Sequence, residues 1–399
     1  MSHISNLISF TITRFEISYL TSYLMKSNIT KALCLFLIFF ILVSCSGKPD
    51  IEIVPKPKKE RFSGVWITNV ASSVLDSRAN IQQAVALCDQ YGINNIFVVV
   101  WNRGRTLYPS QVMQDQFGLR ISDKFTGRDP LKEMIEEAHK KNIKVHAWFE
   151  YGFAASNNEN GGMILQAKPE WAAKDAAGIL LKKNGFEWMN AFNPEVQAFM
   201  TSLVLEVVKN YDVDGIQGDD RLPALPTTGG YDSYTVELYK SQHNGSIPPT
   251  NYKDAAWVAW RANLLTEFLG RLYKSVKDVK PAIIVSSAPS VHPWGKEEYL
   301  QDWPIWLDKG YVDMVFPQHY RYDIAGYQAT LKQQLDYLKP KDRLKFFPGV
   351  LIQNGVYNPS NEFLNQMINE NRRQGIMGES FWFFEGLKKF PQFFETYKQ

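Results

Sequence analysis

The segment Tyr211-Asp-Val-Asp-Gly-Ile-Gln-Gly-Asp-Asp220 places Asp214 before a short stretch and the pair Asp219–Asp220 after it. Read as a strand over Asp214–Asp219, it puts Asp214 at one end as a structural, capping carboxylate. Side chains alternate along a strand, so only one of the two terminal aspartates shares the face of Gly215 and Gln217. That residue is Asp219, and the glycines are expected to leave room there for a ligand. Asp220 is expected to turn into the following loop or to hold a neighbouring arginine. A further carboxylate, Glu150, closes the segment KVHAWFE. Two carboxylates in a groove of low dielectric push each other's pKa values apart. One keeps a proton to donate to a leaving oxygen, while the other attacks carbon or activates water. That division of labour is the chemistry of cleaving a glycosidic bond.

These carboxylates need a frame, and the chain alternates strand and helix patterns. Strands are expected at Gly64–Asn69, Asn95–Asn102, Lys144–Glu150, Asp214–Asp219, Ala282–Ser287, Val312–Gln318, Leu344–Ile352 and Gly378–Phe384. NIFVVVWN is apolar throughout, as strands buried on both faces of parallel sheets are. Helix patterns lie between the strands. Ile81, Ala84, Val85 and Cys88 share one face. Asp129-Pro130 and Asn193-Pro194 read as N-caps followed by proline in the first turn. Eight such units predict an α/β fold, a (β/α)8 TIM barrel with long loops after strands 3 and 4. The rival is a doubly wound open sheet, and no glycine-rich phosphate fingerprint follows any strand to favour it.

In such a barrel, functional residues sit where strands end. The strand ends supply Asn69, Asn102 and Arg103, Glu150, Asp219 and Asp220, Ser287, Gln318 with His319 and Arg321, Gln353 with Asn354, and Glu385. Sugars stack on aromatic faces, and Trp66, Trp101, Trp148, Tyr151, Trp188, Trp294 and Trp382 flank these ends. About half of these rings are expected to be barrel packing alone.

Composition bounds the alternatives. Of 399 residues, 45% are hydrophobic and 21% charged, which excludes a disordered chain. Lys+Arg 44 against Asp+Glu 41 is too balanced for a nucleic-acid partner. The apolar run Ala32–Val43 is 12 residues, short of the roughly 20 a membrane span needs. It follows Lys26 and Lys31 and precedes Leu42-Val-Ser-Cys45, the layout of a secretory signal. Its ending resembles a bacterial lipobox, which implies cleavage before Cys45, lipid on its sulfur and a membrane anchor. An uncleaved signal anchor is the alternative. Met25 is the expected true start, residues 46–60 a proline- and lysine-bearing tether, and 61–399 the barrel domain. Cys88 is then the sole cysteine of the folded part and is read as apolar filler.

The segments GVWITN, VVVWNRGRTLYPS, HAWFEYGF, NPEVQAFMTSLVLEVVKNYDVDGIQGDDR, YLQDW, FPQHYR and FWFFEGL, in this order from about Phe62 to Leu387, resemble the glycosyl hydrolase-like 10 family. The resemblance implies an exported, lipid-anchored TIM-barrel glycoside hydrolase without a cofactor, acting on a polysaccharide such as peptidoglycan glycan strands. The DGIQGD string is also similar to the fourth-strand motif of α-amylase-type enzymes, which implies that Asp219 is a nucleophile. Here Gln217 stands where those enzymes carry arginine. Their fifth-strand acid is matched by Ser286-Ser-Ala-Pro289, with no carboxylate. The acid must come from elsewhere, with Glu150 the first choice and Glu385 the second. Asp220 would position one of the pair. Asn69, Trp101, Asn102, Arg103, Tyr151, Gln318, His319 and Arg321 are the expected sugar-binding residues.

Two other readings compete. A barrel that kept its groove and lost its acid would bind glycans without cutting them. A metal-dependent hydrolase would use Glu150, Asp219, Asp220 and His319 as ligands, but with six His and no pair at ligand spacing no metal is expected.

Overall fold

The computed structural model describes residues 61–398. The expected signal segment, the lipid site Cys45 and the tether lie outside the described residues. Eight parallel strands form one sheet: β1 (Phe62–Ile67), β2 (Asn95–Val99), β3 (Lys144–Phe149), β4 (Gly215–Gly218), β5 (Ile284–Ser287), β6 (Met314–Val315), β7 (Gly349–Leu351) and β8 (Gly378–Trp382). Their order is β6-β5-β4-β3-β2-β1-β8-β7. The two end strands meet through parallel bridges Val315–Phe346 and Gln318–Gly349. There the Phe347 N–H donates to Val315 O at 2.9 Å and the Gly349 N–H to Pro317 O at 2.8 Å. The sheet thus curls into the expected (β/α)8 barrel.

One principal helix follows each strand: α1 (Arg78–Gln90), α2 (Pro130–His139), α3 (Pro194–Asn210), α4 (Ala255–Val279), α5 (Trp303–Lys309), α6 (Ile324–Asp336), α7 (Asn361–Arg373) and α8 (Pro391–Tyr397). The caps are those the sequence signals. Asp129 accepts from the Lys132 N–H at 3.1 Å, and Asn193 from the Glu195 N–H at 2.8 Å. Prolines at the next positions lose nothing, since those N–H groups have no partner within a helix. Ile81, Ala84, Val85 and Cys88 are all buried on α1. Burial drives the Cys88 thiol well above its ordinary range, so it is an inert filler.

Three strands are shorter than their apolar runs suggest. The sixth stops at Val315, just before Pro317, and the seventh begins only after Pro348, with Pro340–Lys345 wound into a 3-10 turn. Proline has no N–H to give a neighbouring strand. The second run breaks at Val99, and Trp101–Asn102 instead pairs antiparallel with Arg105–Thr106. Arg103 and Gly104 make that turn at φ 49° and 68°.

Inside the cylinder Phe62, Phe316 and Phe347 pack within 5.4 Å of one another, with Phe97 5.0 Å from Phe316. Above them the Trp66 indole donates across the barrel to Gln217 Oε1 at 2.7 Å. The glycines of β4 serve this packing rather than a ligand. A Cβ on Gly215 would lie 2.2 Å from His146 Nδ1, and one on Gly218 would lie 2.1 Å from Leu222 O. The long connection after β3 folds into a small antiparallel sheet (Ala154–Asn157, Lys182–Lys183, Phe186–Trp188), and the one after β4 carries a helix over Ser233–Gln242.

Candidate active site

The inward-facing positions of β3 and β4 continue past the last strand residue. Gly215 and Gln217 face the barrel interior, and Asp219 follows them over its mouth. His146 and Trp148 point inward on β3, and Glu150 follows them. Both carboxylates are buried, at 4% and 8% exposure. β3 and β4 are paired neighbours, so their ends bring the two residues to the same part of the rim.

Arg221 ties the cluster together. Its Nη2 donates to Asp219 Oδ2 at 2.7 Å, its Nε donates to the Glu150 backbone oxygen at 2.9 Å, and its Nη1 lies 2.7 Å from Asp220 Oδ1. Its guanidinium stands 4.5 Å from the Phe186 ring centroid and 5.6 Å from that of Tyr151. Arg221 thus reaches Asp219 from two residues downstream, while Gln217 is engaged by the Trp66 indole. Glu150 is held by neutral donors. Asn102 Nδ2 lies 2.6 Å from Oε2, and the Thr68 hydroxyl also bonds to the carboxyl.

Two carboxylates thus share one guanidinium, with the Glu150 carboxyl beside them on its own neutral donors. Burial raises the Glu150 pKa above the ordinary carboxylate range; Arg221 and Asn102 oppose it, while Asp220 adds to it. Burial and the adjacent Asp220 likewise raise Asp219 against the pull of Arg221. For Arg221, burial works against the charge, but Asp220, Asp219 and Glu150 outweigh it and hold the guanidinium protonated. Like charges this close cannot all ionise without cost, so the cluster holds a proton more tightly than separate carboxylates would.

On the far side of Asp219 stand Gln318, whose Nε2 is 3.5 Å from Asp219 Oδ1, and Tyr320, whose hydroxyl pKa is raised by burial and then by Asp219 and Asp220. Gln318 and Tyr320 wall a cavity of about 500 Å³ together with Ser290, Trp294 and Arg321. The Trp382 ring lies 5.8 Å from that of Trp148 and 6.1 Å from those of Trp66 and Tyr320, forming an aromatic base under the mouth.

Residues 61–352 match the family model described as glycosyl hydrolase-like 10. The chain belongs to this family. Family membership makes it a glycosidase. It is 27% identical over 382 residues to "Glycosyl hydrolase DigH" of Escherichia coli (strain K12), an alignment covering 82% of this chain and 83% of that protein. The fold is similar to the glycoside hydrolase domain of PgaB (BpsB) from Bordetella bronchiseptica, with a TM-score of 0.62 and 14% identity over 85% of this chain and 98% of that one. It is also similar to alpha-L-fucosidase isoenzyme 2 from Paenibacillus thiaminolyticus, with a TM-score of 0.62 and 18% identity over 85% and 49% of the two chains.

Several of the sugar-binding and acid positions expected in this glycosidase stand elsewhere. Trp101 is fully buried, donating to Gly152 O at 3.0 Å and meeting Phe199 of α3 edge-on, so it is outer-layer packing. His319 is likewise buried, against Tyr327 of α6 and Phe346, with burial lowering its pKa to about 4. It meets none of the three carboxylates, which removes it from the four-ligand metal alternative. Glu385 is engaged by Ser72 at 2.9 Å and Lys388 at 3.0 Å, apart from the Asp219 cluster. From β1 it is Thr68, not Asn69, that reaches Glu150, as alternation from Trp66 requires. Arg103 stands at the outer rim, 3.4 Å from the Tyr151 hydroxyl and 3.6 Å from Glu159. Asn102, Tyr151, Gln318, Asp219, Asp220 and Glu150 are brought together. The residues missed in the sequence were Thr68, Arg221 and Tyr320. For Thr68 and Tyr320 the signal was present, because each lies two residues from an inward-facing neighbour.

Proposed function

We propose that Asp219 and Glu150 are the catalytic pair of a glycoside hydrolase exported to the cell envelope and anchored by lipid on Cys45. We propose a polysaccharide substrate, with peptidoglycan glycan strands the favoured candidate. The observation that carries this reading is the burial of Asp219 and Glu150 at adjacent strand ends around a single guanidinium. Both pKa values run upward, and their donors separate the roles. Glu150 is held only by neutral side chains, which suits the residue that keeps the proton and gives it to the leaving oxygen. Asp219 has Arg221 directly on one oxygen, which suits the residue that becomes an anion to attack the anomeric carbon or to activate water. Asp220 would share Arg221 and position Asp219; Asn102 and Thr68 would orient Glu150. Export and anchoring rest on the Lys26–Cys45 signal pattern.

The test is hydrolysis of purified cell-wall glycan strands, with plant and storage polysaccharides in parallel and products read by mass spectrometry. Asp219→Asn is expected to lower turnover by a factor of about 10³ or more, in the range lost when an active-site nucleophile is removed. Wild-type turnover in that variant would sink the assignment. NMR of the first-formed anomer separates attack by Asp219, which gives retention, from attack by activated water, which gives inversion. A second reading, a barrel that binds glycan without cutting it, draws on the fifth strand, where Ser286 accepts from Gln217 Nε2 at 3.2 Å and no carboxylate stands. Binding of oligosaccharides with no new reducing ends would favour it.

A further inference from the structure

Arg321 has a half-buried guanidinium in the wall of the cavity beside Gln318 and Tyr320. Its Nε donates to Thr330 Oγ1 at 2.8 Å and its Nη1 to Tyr320 O at 2.9 Å, which fixes the plane of the group. Among the described residues no carboxylate comes within ion-pair distance of it, and no partner meets Nη2. Burial is the sole influence on its pKa, and it pulls the value down. Glu297, the one carboxylate in the cavity wall, is exposed and forms no ion pair with it. Arg261 provides the contrast. It too is buried without a carboxylate, but its three nitrogens donate to the carbonyls of Trp257, Thr227, Gly229 and Tyr252, and it is structurally saturated.

A partly desolvated cation with a free donor edge is costly unless an anion completes it. The planar guanidinium fork matches a carboxylate. In the same wall the Trp294 ring is 48% exposed, propped 5.5 Å from Tyr299, and offers a face on which a sugar can stack. We propose that this cavity is a subsite for a sugar residue bearing a carboxylate, which Arg321 binds while the pyranose ring lies on Trp294. The subsite adjoins Asp219 through Gln318, so an acidic residue seated here sets which bond reaches the catalytic pair; this specificity role rests on the glycosidase reading of Asp219 and Glu150. The carboxylate is that of a hexuronic acid or of a lactyl ether on the ring, two sources that present the same planar group.

The test uses the full chain carrying Glu150→Gln, so that ligands persist, and isothermal calorimetry as the readout. Four probes are titrated: a tetrasaccharide of alternating N-acetylglucosamine and N-acetylmuramic acid, the same tetrasaccharide with its carboxyls amidated, a trigalacturonate, and the neutral tetramer of N-acetylglucosamine. At least one free acid is expected to bind about tenfold or more tightly than the neutral probes, the gain typical of a hydrogen bond to a charged group. Whichever acid binds identifies the source of the carboxylate. Arg321→Gln in the same background is expected to bring the acid down to the level of the amide, and Arg321→Lys to restore part of the difference. Equal affinities for acid and amide, or no binding of either acid, would overturn the proposal, and the acid–amide comparison needs no substitution at Arg321. The readout is the acid–amide difference in binding, so full turnover in Asp219→Asn would sink the catalytic assignment, whereas equal acid and amide affinities would sink only the Arg321 subsite.

Discussion

Asp214 and Asp219 flank the same four-residue strand and meet opposite fates. At the floor of the barrel Asp214 is 29% exposed; its Oδ2 accepts the Val145 N–H at 2.8 Å and lies 2.9 Å from His139 Nε2. The next strand connection repeats the device. Asp313 accepts the Val285 N–H at 2.8 Å and the Tyr273 hydroxyl at 3.0 Å, and pairs with Lys277 at 2.7 Å. Each floor carboxylate has its own backbone donor and its own partner, near water. At the mouth Asp219 and Asp220 divide one arginine beside a third carboxylate, and the Asp219 side chain is 5% exposed. The difference teaches that residue type does not separate stitching from chemistry. The ratio of charges to partners, and the access of water, do.

Breaking this contrast should yield a graded set of effects. The largest is expected at the mouth. Glu150→Gln should cut kcat by about 10²–10⁴-fold, the usual contribution of a general acid, while leaving the melting temperature near or above wild type. The alkaline limb of the pH–rate profile should also flatten. Because burial raises the Glu150 pKa, that limb in wild type should lie above the ordinary carboxylate range. Melting curves and a pH–rate profile check both statements.

Arg221→Met should come next, by leaving Asp219 and Asp220 without their shared cation. Removing one partner of a buried pair costs on the order of 3–5 kcal/mol. The sign with pH follows from the carboxylates, whose folded pKa values would rise further. The variant should regain stability as pH falls and the carboxylates take protons, an outcome that urea melts at two pH values can test.

At the floor, Asp214→Ala should leave kcat within about twofold of wild type and cost about 1–3 kcal/mol, from the unpaired Val145 N–H. A large loss of turnover with intact stability would erase the contrast between the two ends.

The smallest effect at neutral pH concerns buried histidine. Burial lowers His319 to about 4 from 6.5. A depressed histidine adds stability that is full above 6.5 and is lost as pH falls toward 4, up to about 3 kcal/mol. Replacing His319 with Phe, which can keep the packing against Tyr327 and Phe346, should make the fall of the melting temperature between those two values shallower, with buried His146, also lowered to about 4, still contributing.

The legible part of the site was the part that obeys strand alternation. Asp219 follows Gly215 and Gln217, and Glu150 follows His146 and Trp148, so their direction could be read from period two alone. The same rule, carried one strand end further, separates Thr68 from Asn69 and Tyr320 from His319. Beyond the strands the rule stops. Trp101 and Arg103 sit in a tight hairpin whose positive φ at Arg103 and Gly104 turns the chain, and no local pattern says where those side chains end. Glu385 lies on a short helix after β8, where Ser72 and Lys388 engage it.

The alternation of apolar strands with capped amphipathic helices determined a parallel α/β fold with both sheet faces covered, and the bridges between β6 and β7 decided its closure into a barrel. The same alternation also assigned Asp214 to one end and Asp219 to the other. Tertiary structure alone decided that Arg221 serves Asp219, Asp220 and the Glu150 backbone together, that Glu150 is held by Asn102 and Thr68, and that Arg321 faces a cavity with no carboxylate paired to it. Those relations join groups from different strands across the mouth of a closed cylinder. Their energies depend on distance and burial, which sequence spacing does not encode.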